Sequence, residues 1–304
     1  NIFYNFKNSS RYSWMLAELE SNDVVGSTIM LIKLMFMVDY VLFHLIQHSY
    51  FKYQSEVKEC YDYISTLDNH YAIAMYRRTL TNYCIPHADE NMEGVHFQSL
   101  IHPLLDEEVA VPNDLNLDSN LLLTGSNASG KSTFMKAVAL NVIMAQSLHT
   151  ATAKSFNYQP GYVSTSMANA DDVLSGDSYF MAELKSIRRL FNIDTQTKIY
   201  CFIDEIFKGT NTTERIAASE SVLSYLNGLP NYQVVAATHD IELSTLLEKD
   251  YYNYHFNESI QKNEIYFDYK IKPGKANTRN AIELLRITHF PDDIYQRAQR
   301  QVDE

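Results

Sequence analysis

Residues Leu121 to Phe134 run an apolar segment directly into Thr124-Gly-Ser-Asn-Ala-Ser-Gly-Lys-Ser-Thr133, a Gly-x-x-x-x-Gly-Lys-Ser pattern. Gly125 and Gly130 permit backbone angles closed to other residues. The N–H groups of Ser126, Asn127, Ala128, Ser129, Gly130, Lys131 and Ser132 can therefore curl around an anion at a helix N-terminus. Lys131 is placed to reach β- and γ-phosphates as a point charge, Ser132 to ligate Mg²⁺, and Thr133 to continue the helix. The chemistry indicated is nucleotide binding, with ATP and Mg²⁺ as ligands.

Two further strand-like segments carry groups suited to ATP hydrolysis. Lys198-Ile-Tyr-Cys-Phe-Ile-Asp-Glu205 is an apolar run ending in two carboxylates, as a buried parallel strand delivers acids to a sheet's C-terminal edge. Asp204 is expected to hold Mg²⁺ and Glu205 to orient and deprotonate the attacking water; the plainer alternative is an acidic helix cap. Tyr232-Gln-Val-Val-Ala-Ala-Thr-His239 places His239 just beyond a strand, where an imidazole can donate to a γ-phosphate. Alone, such a histidine reads as an ordinary surface group. Between these segments lies Ala170-Asp-Asp-Val-Leu-Ser-Gly-Asp-Ser-Tyr-Phe-Met-Ala-Glu183. Its glycine turn opens a helix at Ser178, which is either a second anion site or a simple N-cap.

The ordered motifs resemble the ATPase domain of the MutS family, dimeric ATPases of DNA mismatch repair. Thr124 to Thr133 is similar to the family loop TGPNMGGKST, with Ser126 and Ala128 replacing its proline and methionine. Ala170-Asp-Asp, Ser175 to Met181 and Glu183 resemble ADDLASGRSTFMVE. Asp204-Glu-Ile-Phe-Lys-Gly-Thr-Asn-Thr212 resembles DEIGRGTST, and Ala237-Thr-His239 the ATH of the last motif. Ile101-His-Pro103 resembles an opening RHP, and Gly274 to Arg297 a closing helix-turn-helix. The resemblance covers about residues 55–300. It implies phosphate contacts from Asn127 and Lys131, metal contacts from Ser132 and Asp204, catalysis by Glu205 and His239, and Ser178 acting in trans across a homodimer. It also implies His255 near the adenine. The family stacks an aromatic residue on the base from the segment before the loop, whereas Glu108-Val-Ala-Val-Pro-Asn113 has none, leaving Val109 or Val111 to cover the ring.

These groups need a scaffold. From residue 95 onward strands alternate with helices in the manner of an α/β P-loop NTPase of the ABC/MutS type with an open, mostly parallel sheet. Residues 1–90 are expected to be an α-helical lever and 91–304 the ATPase domain with its dimerisation tail. Ser27 to Phe51 is apolar nearly all round, but Asp39 at mid-span costs about 2.5–3.5 kcal/mol in a bilayer. A buried interdomain helix is therefore favoured over a membrane span.

The chain has 304 residues, 46% hydrophobic and 20% charged, enough for a large core. Its net charge of −12 argues against a nucleic-acid grip spread over the surface, so DNA contact is expected to be local or through a longer protein. Cys60, Cys84 and Cys201 are odd in number and scattered, which suits a reducing cytoplasm. The chain starts at Asn1 rather than at a methionine, consistent with a piece of a longer protein. The expected function is ATP-driven conformational switching in DNA mismatch repair. The alternative is an ABC-type mechanochemical ATPase in recombination control or chromosome maintenance, although Leu174-Ser-Gly-Asp-Ser178 lacks the second glycine of the Leu-Ser-Gly-Gly-Gln signature.

Overall fold

A computed structural model describes residues 24–126, 129–167, 179–193, 196–207, 210–261, 264–276 and 290–303. The chain divides into two compact units, Asn1–Arg78 and Thr79–Glu304. The described part of the first is helical: α1 (Val24–Met35), α2 (Val38–Lys52) and α3 (Gln54–Thr79). The continuous helix expected over Ser27 to Phe51 breaks at Met37, whose φ is +46°. There the Met37 N–H bonds to Leu34 one residue early, and the ladder restarts from the Met37 carbonyl to Val41.

Within this unit the described side chains of the apolar stretch are largely uncovered. Leu34, Met35 and Phe36 are 74%, 70% and 64% exposed, and α3 buries none of its residues. None of the described helices is long and apolar enough to cross a membrane.

The second unit is an α/β structure around a six-stranded sheet. Its strands are β4 (Leu121–Thr124), β6 (Gly161–Ser166), β7 (Lys198–Asp204), β8 (Tyr232–Thr238), β9 (Tyr252–Gln261) and β10 (Glu264–Pro273), in the order β10-β9-β4-β8-β7-β6. All neighbours pair parallel except the β9–β10 edge hairpin. Side chains alternate across the central strands into two cores. Leu121, Leu123, Tyr200, Phe202, Val235 and Ala237 face one, while Leu122, Cys201, Ile203, Val234 and Ala236 face the other. Burial on both faces explains why these strands read as unbroken apolar runs rather than alternating ones.

On the first face lie α4 (Lys131–Leu148) and a second sheet of order β1-β5-β2-β3. This sheet comprises β1 (His87–Ala88), β5 (Ser155–Tyr158), β2 (Val95–Leu100) and β3 (Asn113–Leu117). It was not expected from the sequence as a separate sheet. The alternation of Val95 with Phe97 and of Leu115 with Leu117 is its half-buried signature. The other face is covered by α5 (Tyr179–Leu190), α6 (Thr212–Asn227) and α7 (Ile241–Leu246). The last described helix is α8 (Asp292–Asp303); residues 277–289 of the expected tail lie outside the described residues.

Candidate nucleotide site

Register fixes where the motifs meet. Asp204 of β7 pairs with Ala237 of β8, which pairs with Leu123 of β4, so all three parallel strands end at one edge of the sheet. The glycine loop leaves β4 there, the acids leave β7, and His239 follows β8 between them.

The loop has the conformation its glycines predict. Gly125 and Gly130 have φ of +142° and +107°. A Cβ at Gly125 would come within 2.9 Å of the Phe256 carbonyl oxygen, and one at Gly130 within 3.1 Å of the Tyr269 ring. No other residue fits either place without displacing its neighbour. Lys131 is 4% exposed and donates from Nζ to the carbonyls of Gly125 and Ser126 at 2.7 and 2.8 Å, so its ammonium lies inside the loop. Ser129 is 1% exposed and its Oγ has no partner among the described residues. Ser126 Oγ donates to the Glu258 carboxylate of β9, a neighbour absent from the sequence reading. Ser132 is half-buried and Thr133 exposed at the start of α4; Asn127 and Ala128 lie outside the described residues.

At the end of β7, Asp204 Oδ1 is buried without a partner among the described residues. The Glu205 N–H continues the ladder to the Ala237 carbonyl at 2.9 Å, but its own φ is +55° and that of Phe207 +60°. Two such departures within three residues, both at side-chain-bearing positions, mark a turn held by its surroundings. Phe207 occupies the position of the glycine in DEIGRG, which explains the sign of φ, and it is held there by burial in the second core.

His239 sits between carboxylates. Its Nδ1 is 3.8 Å from Glu205 Oε2 and its Nε2 is 3.7 Å from Asp240 Oδ1. The Glu205 carboxylate foremost, with Asp240, raises the imidazole pKa above its usual value, against desolvation and the Arg215 charge. Arg215 of α6 clamps Asp240 through Nε and Nη2 at 2.8 and 2.6 Å, with the two side chains 13% and 7% exposed. This bidentate pair ties α6 to the end of β8. Sequence reasoning missed it; the acid directly after His239 was the available signal. α6 itself begins with a side-chain cap, Asn211 Oδ1 accepting from the Glu214 N–H at 3.0 Å.

A cavity of about 270 Å³ adjoins the loop at Gly130 and Thr133. Val109, Ala110, Val111, Phe256 and Tyr269 contribute to its walls. Tyr269 brings an aromatic ring to this cavity from β10. Asn113, 7% exposed, joins that segment to β10 by donating to the Val111 and Tyr269 carbonyls and accepting from the Ile271 N–H. His255 is not part of this wall; its Nδ1 donates to the Gly274 carbonyl at 2.9 Å, while its neighbour Phe256 faces the cavity. Ser178 and the turn before it lie outside the described residues.

Comparison with known proteins supports the family named by the motifs. A family model described as MutS domain V matches residues 121–304. The chain is 31% identical over 230 residues to the DNA mismatch repair protein MutS of Lysinibacillus sphaericus (strain C3-41), covering 73% of this chain and 26% of that protein. It is 29% identical over 276 residues to the protein of the same name from Staphylococcus haemolyticus (strain JCSC1435), covering 88% and 31% respectively. The corresponding figures for Lactobacillus helveticus (strain DPC 4571) are 29% over 271 residues, 86% and 31%. The chain thus spans less than a third of the length of these relatives.

Proposed function

The chain belongs to the MutS family, and from that premise we propose that it is an ATP hydrolase whose nucleotide cycle drives conformational switching in DNA mismatch repair. The observation that carries this reading is the meeting, at one edge of a parallel sheet, of a positive-φ glycine loop around a buried lysine with two carboxylates and a histidine.

The residues present fit ATP and Mg²⁺. At Gly125 and Gly130 the loop packs directly against Phe256 and Tyr269, and two buried polar atoms, Ser129 Oγ and Asp204 Oδ1, have no partner among the described residues. Buried polar groups are nearly always satisfied, so these suit a polar ligand. Ser132 and Asp204 would hold Mg²⁺, which supplies charge neutralisation to the phosphate oxygens when bound. Loop N–H groups and Lys131 would bind the phosphates, with Lys131 exchanging two carbonyl contacts for the anion. Glu205 would take the proton of the attacking water, and His239, charged in part by its carboxylate neighbours, would donate to the γ-phosphate. The base would enter the cavity beside Gly130, against Tyr269 and the Val109–Val111 segment.

In this reading the site is completed in a homodimer, Ser178 of one subunit facing the nucleotide of the other. DNA is engaged by the full-length protein, in the mismatch repair that the relatives' names describe. Calorimetry of ATP binding tests the cradle directly. Lys131→Ala should weaken affinity by about 2–5 kcal/mol, the cost of truncating one member of a desolvated charge pair. Unchanged affinity would remove the phosphate cradle and the reading with it.

A further inference from the structure

We infer that Arg215 is a positioning residue for the proposed phosphate donor His239: by occupying both oxygens of Asp240, it keeps that carboxylate from capturing the imidazole. This inference rests on the nucleotide reading and deepens it at the same site. His239 can serve a γ-phosphate only while a ring N–H is left for the ligand.

The geometry sets up a competition for that N–H. His239 lies between two acids, and its side chain, 42% exposed, is far more open than those of Glu205, Asp240 and Arg215. Asp240 Oδ1 stands 3.7 Å from His239 Nε2, just outside hydrogen-bond distance. A closer approach would create a charge-assisted hydrogen bond, one of the stronger contacts a side chain makes. Asp240 is held short of it from two sides. Its N–H donates to Thr238 Oγ1 at 3.0 Å, which fixes the turn that carries His239. Its carboxylate receives Arg215 Nη2 on Oδ1 at 2.6 Å and Nε on Oδ2 at 2.8 Å, so both oxygens are committed to a planar, permanently charged fork. Asp240 also directly precedes α7, where an aspartate ordinarily caps the helix. It makes no such bond, and its side chain turns to Arg215 instead. Arg215 comes from the start of α6, the helix that follows the acids of β7. One guanidinium therefore links the segment after Glu205 to the segment after His239, and its charge opposes the pull of both carboxylates on the imidazole proton.

ATP turnover by the full chain in a double-mutant cycle tests this, with every variant assayed where circular dichroism shows it folded. Arg215→Ala is expected to lower kcat about ten- to a hundredfold, the worth of one hydrogen bond to a charged group, with KM for ATP unchanged. In a His239→Ala background the same substitution should lower kcat no further, because the group it positions is gone. Asp240→Asn added to Arg215→Ala should restore kcat, since an amide cannot form an ion pair with the imidazole. Arg215→Lys keeps a cation but cannot grip both oxygens, and it replaces Arg215→Ala in the cycle if the alanine variant unfolds. Its loss of kcat should be smaller and should likewise vanish without His239. No loss on changing Arg215, an equal loss with and without His239, or parent turnover in His239→Ala would overturn the inference while leaving the phosphate cradle standing. Absence of ATP turnover by the folded parent would overturn the nucleotide reading and the inference together.

Discussion

At the scale of single residues, charge placement decides the outcome. Arg215 and Asp240 form a bidentate pair largely shielded from bulk water, so removing the guanidinium strands a buried carboxylate. Arg215→Ala should therefore cost about 3–5 kcal/mol of stability, and Asp240→Asn in that background should recover much of it. Urea unfolding reads both, and a loss below about 1 kcal/mol would mean the pair is effectively solvated. Neither member was legible as a pair, because nothing in the spacing of 25 residues between them announces contact across α6 and β8. Gly125, Gly130 and Lys131 were legible, since a cradle of backbone N–H groups admits few residue types at those positions. Tyr269 was not. It reaches the loop through β10, more than 130 positions along the chain, and through the β9–β10 register that only the fold reveals.

At the scale of elements, the phosphate helix α4 is held by its own interior. Asn141 is fully buried, donates to the carbonyls of Ile101 and Ala137 at 3.2 and 2.9 Å, and accepts from the Thr152 N–H at 2.7 Å. It fastens α4 between the Ile101–Pro103 segment and the approach to β5. Asn141→Ala should destabilise the unit by about 1–3 kcal/mol by leaving the Thr152 N–H unsatisfied. A chemical-denaturation midpoint equal to that of the parent would show that the bond is dispensable. The core strands β4, β7 and β8 were visible in the sequence as apolar runs, and their ends fall within a residue of those expected. The second sheet was overlooked because five- and six-residue strands with one polar face resemble loop between stronger signals. The helix break at Met37 was equally hidden, since no glycine or proline marks it.

At the scale of the whole molecule, the proposed dimer makes the sharpest demand. If each site joins Lys131 of one chain to the Ser178 segment of another, then Lys131→Ala and Ser178→Ala proteins, each inactive alone, should regenerate activity when mixed. One of the two sites in the heterodimer would combine both intact halves. Turnover in a mixture shown to exchange subunits measures it, and absence of rescue would describe a self-contained ATPase. A net charge of −12 argues against a nucleic-acid grip spread over this surface.

The central claim is hydrolysis by the acids at the end of β7, and single-site ATP turnover with Glu205→Gln tests it most directly. The amide keeps the shape but loses the charge that faces His239 and cannot take a proton. Turnover should fall by about 10²–10⁴-fold with ATP affinity retained. Turnover at the parent rate would contradict the role of Glu205 and, with it, this account of the site.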